Sequence, residues 1–264
     1  MKKIAAAAVA AALTTVLTAC GPGDAPNSGG APSSVGAAGS SVPSVGGTAP
    51  STGSTAPSTA LTSPQADPNA AFTPSSIRLE GPNYAIDVPQ VNGGNPGVRA
   101  EFNDGMGALA GEWIAQLVPG TSITGGESAV VHIGTHVLSG ELVVIVYAQG
   151  AAHPNNFYGT HVTNVDTGQP ITLTTLFTDT RTGLEALSAQ AALLVPKTRA
   201  GADYRKEAIA PEERNYENWL ATPAGMRIVL GEIGPHALGK IEITVPWSEL
   251  DSVLKPGMRA VVGS

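Results

Sequence analysis

The stretch "ESAVVHIGTHVLSGELVVIVYAQG", residues 127–150, decides the fold. Leu142 to Tyr147 form an unbroken apolar run rich in β-branched side chains, too short for a buried helix and suited to a strand in the middle of a sheet. The segment before it also favours strand, and Ser139-Gly140 is read as the turn between the two. Strands joined so tightly must run antiparallel.

Upstream, "NYAIDVPQV" (83–91) sets Tyr84, Ile86 and Val88 against Asn83, Ala85 and Asp87, the alternation of a half-buried strand. Asn95-Pro96 then marks a turn and a helix start. Phe102, Met106, Leu109, Trp113 and Leu117 recur at helical spacing, so a helix from about Gly97 to Leu117 presents one apolar face, and Pro119 closes it. Gly105, Gly107 and Gly111 each weaken that helix by about 1 kcal/mol.

Downstream, "FYGTHVTNVDTGQPITLTTLF" (157–177) reads as another hairpin turning at Asp166-Thr167-Gly168. Thr182 and Glu185 have capping-box spacing, and Leu184, Leu187, Ala191 and Leu194 line one helix face until Pro196. "MRIVL" and "KIEITV" alternate as strands, and Ser248 to Leu254 is expected as a short terminal helix. Strands grouped in hairpins with helices between the groups make the class α+β, a single domain with an antiparallel β-sheet and packed helices.

The domain is expected over residues 76–264. Residues 21 to about 75 are almost wholly Gly, Ala, Pro, Ser and Thr, with Asp24 and Asp67 their only charges. So few large apolar side chains cannot offset the entropy of ordering, and the segment is expected to be a disordered linker. A coil of about 50 residues reaches roughly 40 Å. Ahead of it, Met1-Lys2-Lys3, an apolar run from Ile4 to about Leu17 and the small residues before Cys20 follow the order of an export signal over residues 1–19. Leu17-Thr18-Ala19-Cys20 fits the bacterial lipobox, in which the cysteine carries the lipid. Cys20 is the only cysteine in 264 residues, so no intramolecular disulfide or thiolate metal cage competes for it. The expected location is the cell membrane, on its extracytoplasmic face, with the Cys20 lipid as the membrane contact.

The net charge of −7 and the lack of a Lys/Arg cluster leave no nucleic-acid footprint. His132 and His136 have the spacing of a metalloprotease pair, but Ile133 stands where the glutamate belongs, and four residues of strand would part them by about 13 Å. No metal or other cofactor is expected. Gly126-Glu127-Ser128 lacks the last glycine of a nucleophile elbow. Glu212-Glu213 sits in the charged stretch "YRKEAIAPEERNYENW", read as a solvated loop or helix edge. His153 and His161 with Asp166 gather near one expected hairpin, and His153 and Asp166 are the residues a hydrolase reading would rest on.

Two stretches carry a resemblance. "GAAHPNNFYGTHVTNVDTGQPITLTTLF" (150–177) resembles the middle of the exported domain of RsiV-type anti-sigma factors and of certain cell-wall deacetylases. "NYENWLATPAGMRIVLGEIGPHALGKIEITVPWSELDSVL" (215–254) is similar to the C-terminal part of the secreted mycobacterial immunogenic-protein family, at positions that include Tyr216, Gly225, Gly231, Pro235, Gly239, Pro246 and Asp251. His236 departs from it, standing where many relatives have an aromatic residue. The RsiV-type domain binds lysozyme and signals through a transmembrane helix to a sigma-binding segment. Neither segment is evident in this sequence, so a direct anti-sigma role is not expected. The resemblance implies an extracytoplasmic module that binds an envelope protein, a lysozyme-like protein or a cell-wall component. The alternative is an extracytoplasmic esterase or wall-polymer hydrolase.

Overall fold

The computed structural model describes residues 71–264. The expected signal segment, Cys20 and most of the expected linker lie outside the described residues. Strand β1 (Thr73–Gly81) begins three residues ahead of the expected domain start and turns through Pro82-Asn83 into β2 (Tyr84–Asn92). The alternation read in β2 holds from Ile86 to Val88, where Ile86 and Val88 are fully buried and Asp87 is exposed, but Tyr84 and Ala85 are both half-buried and Pro89 to Val91 are all buried.

Helix α1 (Pro96–Ala115) starts where Asn95-Pro96 predicts, with Asn95 Oδ1 accepting from the backbone N–H groups of Gly97 and Val98. Its fully covered stripe is Val98, Phe102, Met106 and Ala110, one residue per turn, while Leu109, Trp113 and Leu117 pack half-buried at its edge. The face is therefore narrower than the apolar spacing suggests. The chain continues through β3 (Thr121–Gly125), β4 (Ala129–Ile133), β5 (Val137–Ala148), β6 (Asn155–Asn164) and the two-residue β7 (Gln169–Pro170).

The turn expected at Ser139-Gly140 is not there. The chain turns at Gly134 to His136, where Gly134 N–H donates to Val137 O, and β5 runs straight through both small residues. They are small for tertiary reasons. A Cβ on Gly140 would lie 2.7 Å from Met106 Sδ and 2.8 Å from Phe102 Cζ, so glycine lets α1 press on the strand. Ser139 is fully buried on the other face, where its Oγ donates to Ala221 O (3.0 Å) and accepts from Ala221 N–H (3.1 Å).

Strands β1-β2-β3-β5-β6-β7 form one sheet, with β4 also paired to β5. All pairs are antiparallel except β2 with β3, which run parallel over two residues. After β7 come α2 (Leu173–Leu176), α3 (Thr180–Leu194) and α4 (Glu213–Tyr216), then β8 (Trp219–Thr222), β9 (Gly225–Gly231), β10 (Ile241–Val245) and α5 (Met258–Val262). The cap of α3 is Asp179, not Thr182, because the Asp179 carboxylate accepts from both the N–H and the hydroxyl of Thr182 (2.8 Å each). The expected terminal helix over 248–254 is a single tight turn, and the helical end lies further on, in α5.

β8, β9 and β10 make a second, three-stranded antiparallel sheet. β8 packs against β5 and β6, and α3 packs on β10. β5 is thus covered on both faces from Val137 to Val144, but the second half of its apolar run is not: Ile145 and Val146 are half-buried and Tyr147 is 42% exposed. Leu138, Leu142 and Val144 meet Phe102 and Met106 of α1, whereas Val137 joins Trp219, Ile228 and Trp247 in the other core. The class is α+β with antiparallel pairing dominant; the pairing is divided between two sheets where one was expected.

Candidate functional site

A cleft opens where β2 and β4 part. β3 lies tight against β2, so that a Cβ on Gly125 would come 3.2 Å from Asp87 N. The next residues bulge toward β5: Gly126 N–H donates to Val143 O, and Ser128 Oγ accepts from Val143 N–H (2.8 Å). Beyond the bulge β4 follows β5 and no longer pairs with β2. The gap is a cavity of about 340 Å³ that includes Ser75, Ser76, Asp87, Pro89, Ser128 and Ala129 in its lining. Arg78 is shared by two carboxylates beside the cleft, Nη1 lying 2.7 Å from Asp87 and Nε 2.6 Å from Glu80, so this edge keeps a net negative charge. The hydroxyls of Ser75 and Ser76 and the Asp87 carboxylate are the polar groups the cleft offers for hydrogen bonding.

A second polar region lies between the sheets. Glu141 on β5, 4% exposed, takes Arg227 Nη2 of β9 at 3.1 Å and Lys240 Nζ at 2.8 Å. Lys240 Nζ also lies 2.9 Å from Glu242 Oε1 and 5.3 Å from the Tyr158 ring centroid. Burial pulls the Lys240 pKa down, but its bonds to the two carboxylates outweigh this and leave it above the usual lysine value. Burial pushes the Tyr158 phenol up, Lys240 opposes, and the Glu232 and Glu141 charges add to the rise. The seam reaches the surface at Glu232, whose Oε2 accepts from His236 Nδ1 (2.7 Å) and whose Oε1 is buried without a hydrogen-bond partner. The His236 ring stacks on His153, centroids 4.0 Å apart.

The residues singled out from sequence scatter over these features. His153 stands before β6 and Asp166 after it, so the ten-residue strand holds them about 30 Å apart. They do not form one catalytic pair. Asp166 Oδ1 accepts from His136 Nδ1 (2.9 Å), whereas His161 Nε2 donates to Glu101 Oε1 of α1 at 2.9 Å, beside a hydroxyl bond from Thr163 to Glu101 Oε2. His132 and His136 are not on one continuous strand as expected. His132 lies on β4 and His136 is the last residue of the turn into β5, and His132 Nε2 donates to the main-chain oxygen of Ser264 (2.6 Å). Ser128 bonds Val143 through both its donor and its acceptor, a structural use. Among the described residues no group of three or more His, Cys, Asp or Glu side chains is arranged as a metal cage. Sequence reasoning did not find Glu141, Arg227, Lys240, Glu232 or Tyr158 as a group. Arg227 and Lys240 lie 86 and 99 residues from Glu141, and no local pattern joins them.

Comparison with known proteins places part of this framework. No curated protein matches the chain. The fold is similar to that of a DUF3298-family protein from Bacteroides fragilis NCTC 9343, with TM-score 0.54 and 15% identity, over 75% of this chain and 98% of that one. A DUF3298-family protein from Pseudomonas aeruginosa PAO1 aligns with TM-score 0.45 and 14% identity, over 73% of this chain and 97% of that one. At such identity the Bacteroides likeness concerns the fold alone. Residues 174–248, from α2 through the three-stranded sheet, match the family described as "Protein of unknown function (DUF3298)".

Proposed function

We propose that this is a lipid-anchored protein of the cell envelope whose α+β domain binds a protein or cell-wall ligand at its surface. The observation that carries the binding part is the cleft between β2 and β4, open, lined with hydroxyls and about the smallest size at which pockets hold small ligands. The anchor part rests on the charged-then-apolar leader that ends at Cys20, and the resemblance to the RsiV-type domain makes a lysozyme-like protein or a wall glycan the first ligand to try.

Full-length chain in detergent is titrated against purified insoluble peptidoglycan and, separately, against lysozyme. Saturable binding to one of them is expected. Ser76→Trp and Ala129→Trp, placed at exposed cleft positions, should weaken it about tenfold. Absence of binding to both, or equal binding by both tryptophan variants, overturns the cleft reading. In cells, Cys20→Ala should move the protein from the membrane to the soluble fraction; retention in the membrane overturns the anchor.

A further inference from the structure

We infer that the outer edge of β1 is a self-association site, where a second copy of this chain adds its own β1 antiparallel and the two large sheets join at Ile77. The inference is independent of the cleft and of the lipid anchor. It starts from the strand ladder. β1 stands at one end of its sheet and β7 at the other. β7 is two residues long and ends in Pro170, a blunted edge, whereas β1 runs for nine residues. Ser76 of β1 stands opposite Pro89 of β2, which has no N–H, so this is a pair without hydrogen bonds. Pairs two residues away are of the same kind, which adds Pro74 with Val91, Arg78 with Asp87 and Glu80 with Ala85. The N–H and C=O groups of Ser76, Arg78 and Glu80 therefore point away from β2, with the C=O of Pro74 beside them. Among the described residues no backbone hydrogen bond takes these groups.

The side chains fit one register. Ser75 and Leu79 are half-buried, but Ile77 between them on the same face is 46% exposed, although Val88, its neighbour across the ladder, is fully buried. A two-fold axis through Ile77 sets this side chain against its copy in a pair without hydrogen bonds, where the Cα atoms approach to about 4.5 Å. Both isoleucines then leave water. The same axis places Ser76 opposite Arg78 of the second copy, so that each N–H meets the other's C=O. Glu80 falls opposite Pro74 of the second copy, whose oxygen accepts although its nitrogen cannot donate. An axis through Arg78 would set two guanidinium groups against each other, and one through Leu79 would pair only Ile77–Gly81 of each chain. Charge permits the pairing at Ile77. Arg78 bonds Glu80 and Asp87 of its own chain, which leaves each edge net negative. The two Glu80 carboxylates, however, stand about 20 Å apart along the joined strands, beyond the screening length of roughly 8 Å at physiological salt. A joined edge of this size makes a weak dimer, at the low end of specific interfaces.

The test is sedimentation velocity of full-length chain in density-matched detergent, from about 1 μM to about 1 mM, on wild type, Ile77→Lys and Ser76→Pro. A dimer that grows with concentration is expected. Ile77→Lys sets two ammonium groups at the axis, and Ser76→Pro removes an N–H that β2 does not use, so each should weaken the dimer by about tenfold or more while β1 stays paired to β2. In a Cys20→Ala background, oxidised glutathione should convert Ile77→Cys to a disulfide-linked dimer and leave the more exposed Glu80→Cys monomeric. Hydrogen exchange at the Ser76, Arg78 and Glu80 amides, fast in dilute protein, should slow as concentration rises. A monomer at every concentration, a dimer that both substitutions leave unchanged, or cross-linking of Glu80→Cys as fast as that of Ile77→Cys overturns the assignment. So does slow exchange of those three amides at every concentration, the sign of an edge already covered within one chain.

Discussion

Strand β5 meets two unlike partners. Toward α1 it presents Leu138, Gly140, Leu142 and Val144, and the contact is apolar and close enough that a single methyl on Gly140 would clash. Toward the three-stranded sheet it presents Val137, Ser139 and Glu141, and Ser139 and Glu141 are both paired across the layer, with Ala221 and with Arg227 and Lys240. The helix face can be held by burial alone, which is strong and has little directional preference. The sheet face adds bonds that only one alignment of β8 and β9 satisfies, so there the polar groups specify register more than they supply stability.

Removing the specifying charge tests this contrast most severely. Glu141→Ala leaves two cations in the seam without their shared carboxylate. Because Arg227 and Lys240 are each 28% exposed and can regain some water, the expected loss is roughly 2–4 kcal/mol in urea denaturation. Replacing the set together, Glu141→Leu with Arg227→Leu and Lys240→Met, should recover most of that loss while broadening the amide signals of β8 and β9 if alignment is what the charges provide. A triple variant as unstable as Glu141→Ala would show that the charges supply stability after all.

Alkaline pH attacks the same side of β5 without mutation. Tyr216, fully buried with its hydroxyl donating to Ile209 O (2.6 Å), has its pKa pushed up to about 12 by burial, while Tyr158 and Lys240 are also raised. A folded-state pKa above the unfolded one means that the folded state holds its proton longer. The associated stability is complete below about pH 10 and is lost as pH rises through the folded values. For Tyr216 the loss between pH 10 and 12 is on the order of 2–3 kcal/mol. Thermal melts from pH 8 to 11.5 should be flat at first and fall above pH 10, and Tyr216→Phe should flatten part of the fall. A steady decline from pH 8 would break the assignment.

How much of this was readable beforehand follows from where the causes lie. The alternation of β2 from Ile86 to Val88 and the Asn95-Pro96 start of α1 have causes a few residues away, and both were legible. Ser139-Gly140 was misread because small residues look alike whether they turn a chain or let another element approach it. Here α1 supplies the reason for Gly140 and β8 the reason for Ser139. The cleft depends on a bulge at 126–128 that no local pattern announces, and the seam and the His153–His236 stack join residues that meet only through tertiary structure. Spacing nominated His153 and Asp166 together, and the length of β6 separates them.

The smallest effect distinguishes local from tertiary causes within one element. Besides Gly97 in its first turn, three glycines sit in the interior of α1, and from sequence each weakens the helix equally. In the structure they differ. A Cβ on Gly105 would fall 2.3 Å from His161 Nε2, the ring that bonds Glu101, whereas a Cβ on Gly107 or Gly111 meets nothing within 4 Å. Gly107→Ala and Gly111→Ala should each stabilise the protein by about 0.5–1 kcal/mol, through helix propensity alone. Gly105→Ala should destabilise it, because His161 must move and its bond to Glu101 lengthen or break. Chemical denaturation of the three variants reads the sign directly. A stabilising Gly105→Ala would mean that His161 yields at little cost and that α1 is held on the sheet by its Val98, Phe102, Met106 and Ala110 stripe without help from the Glu101 clamp.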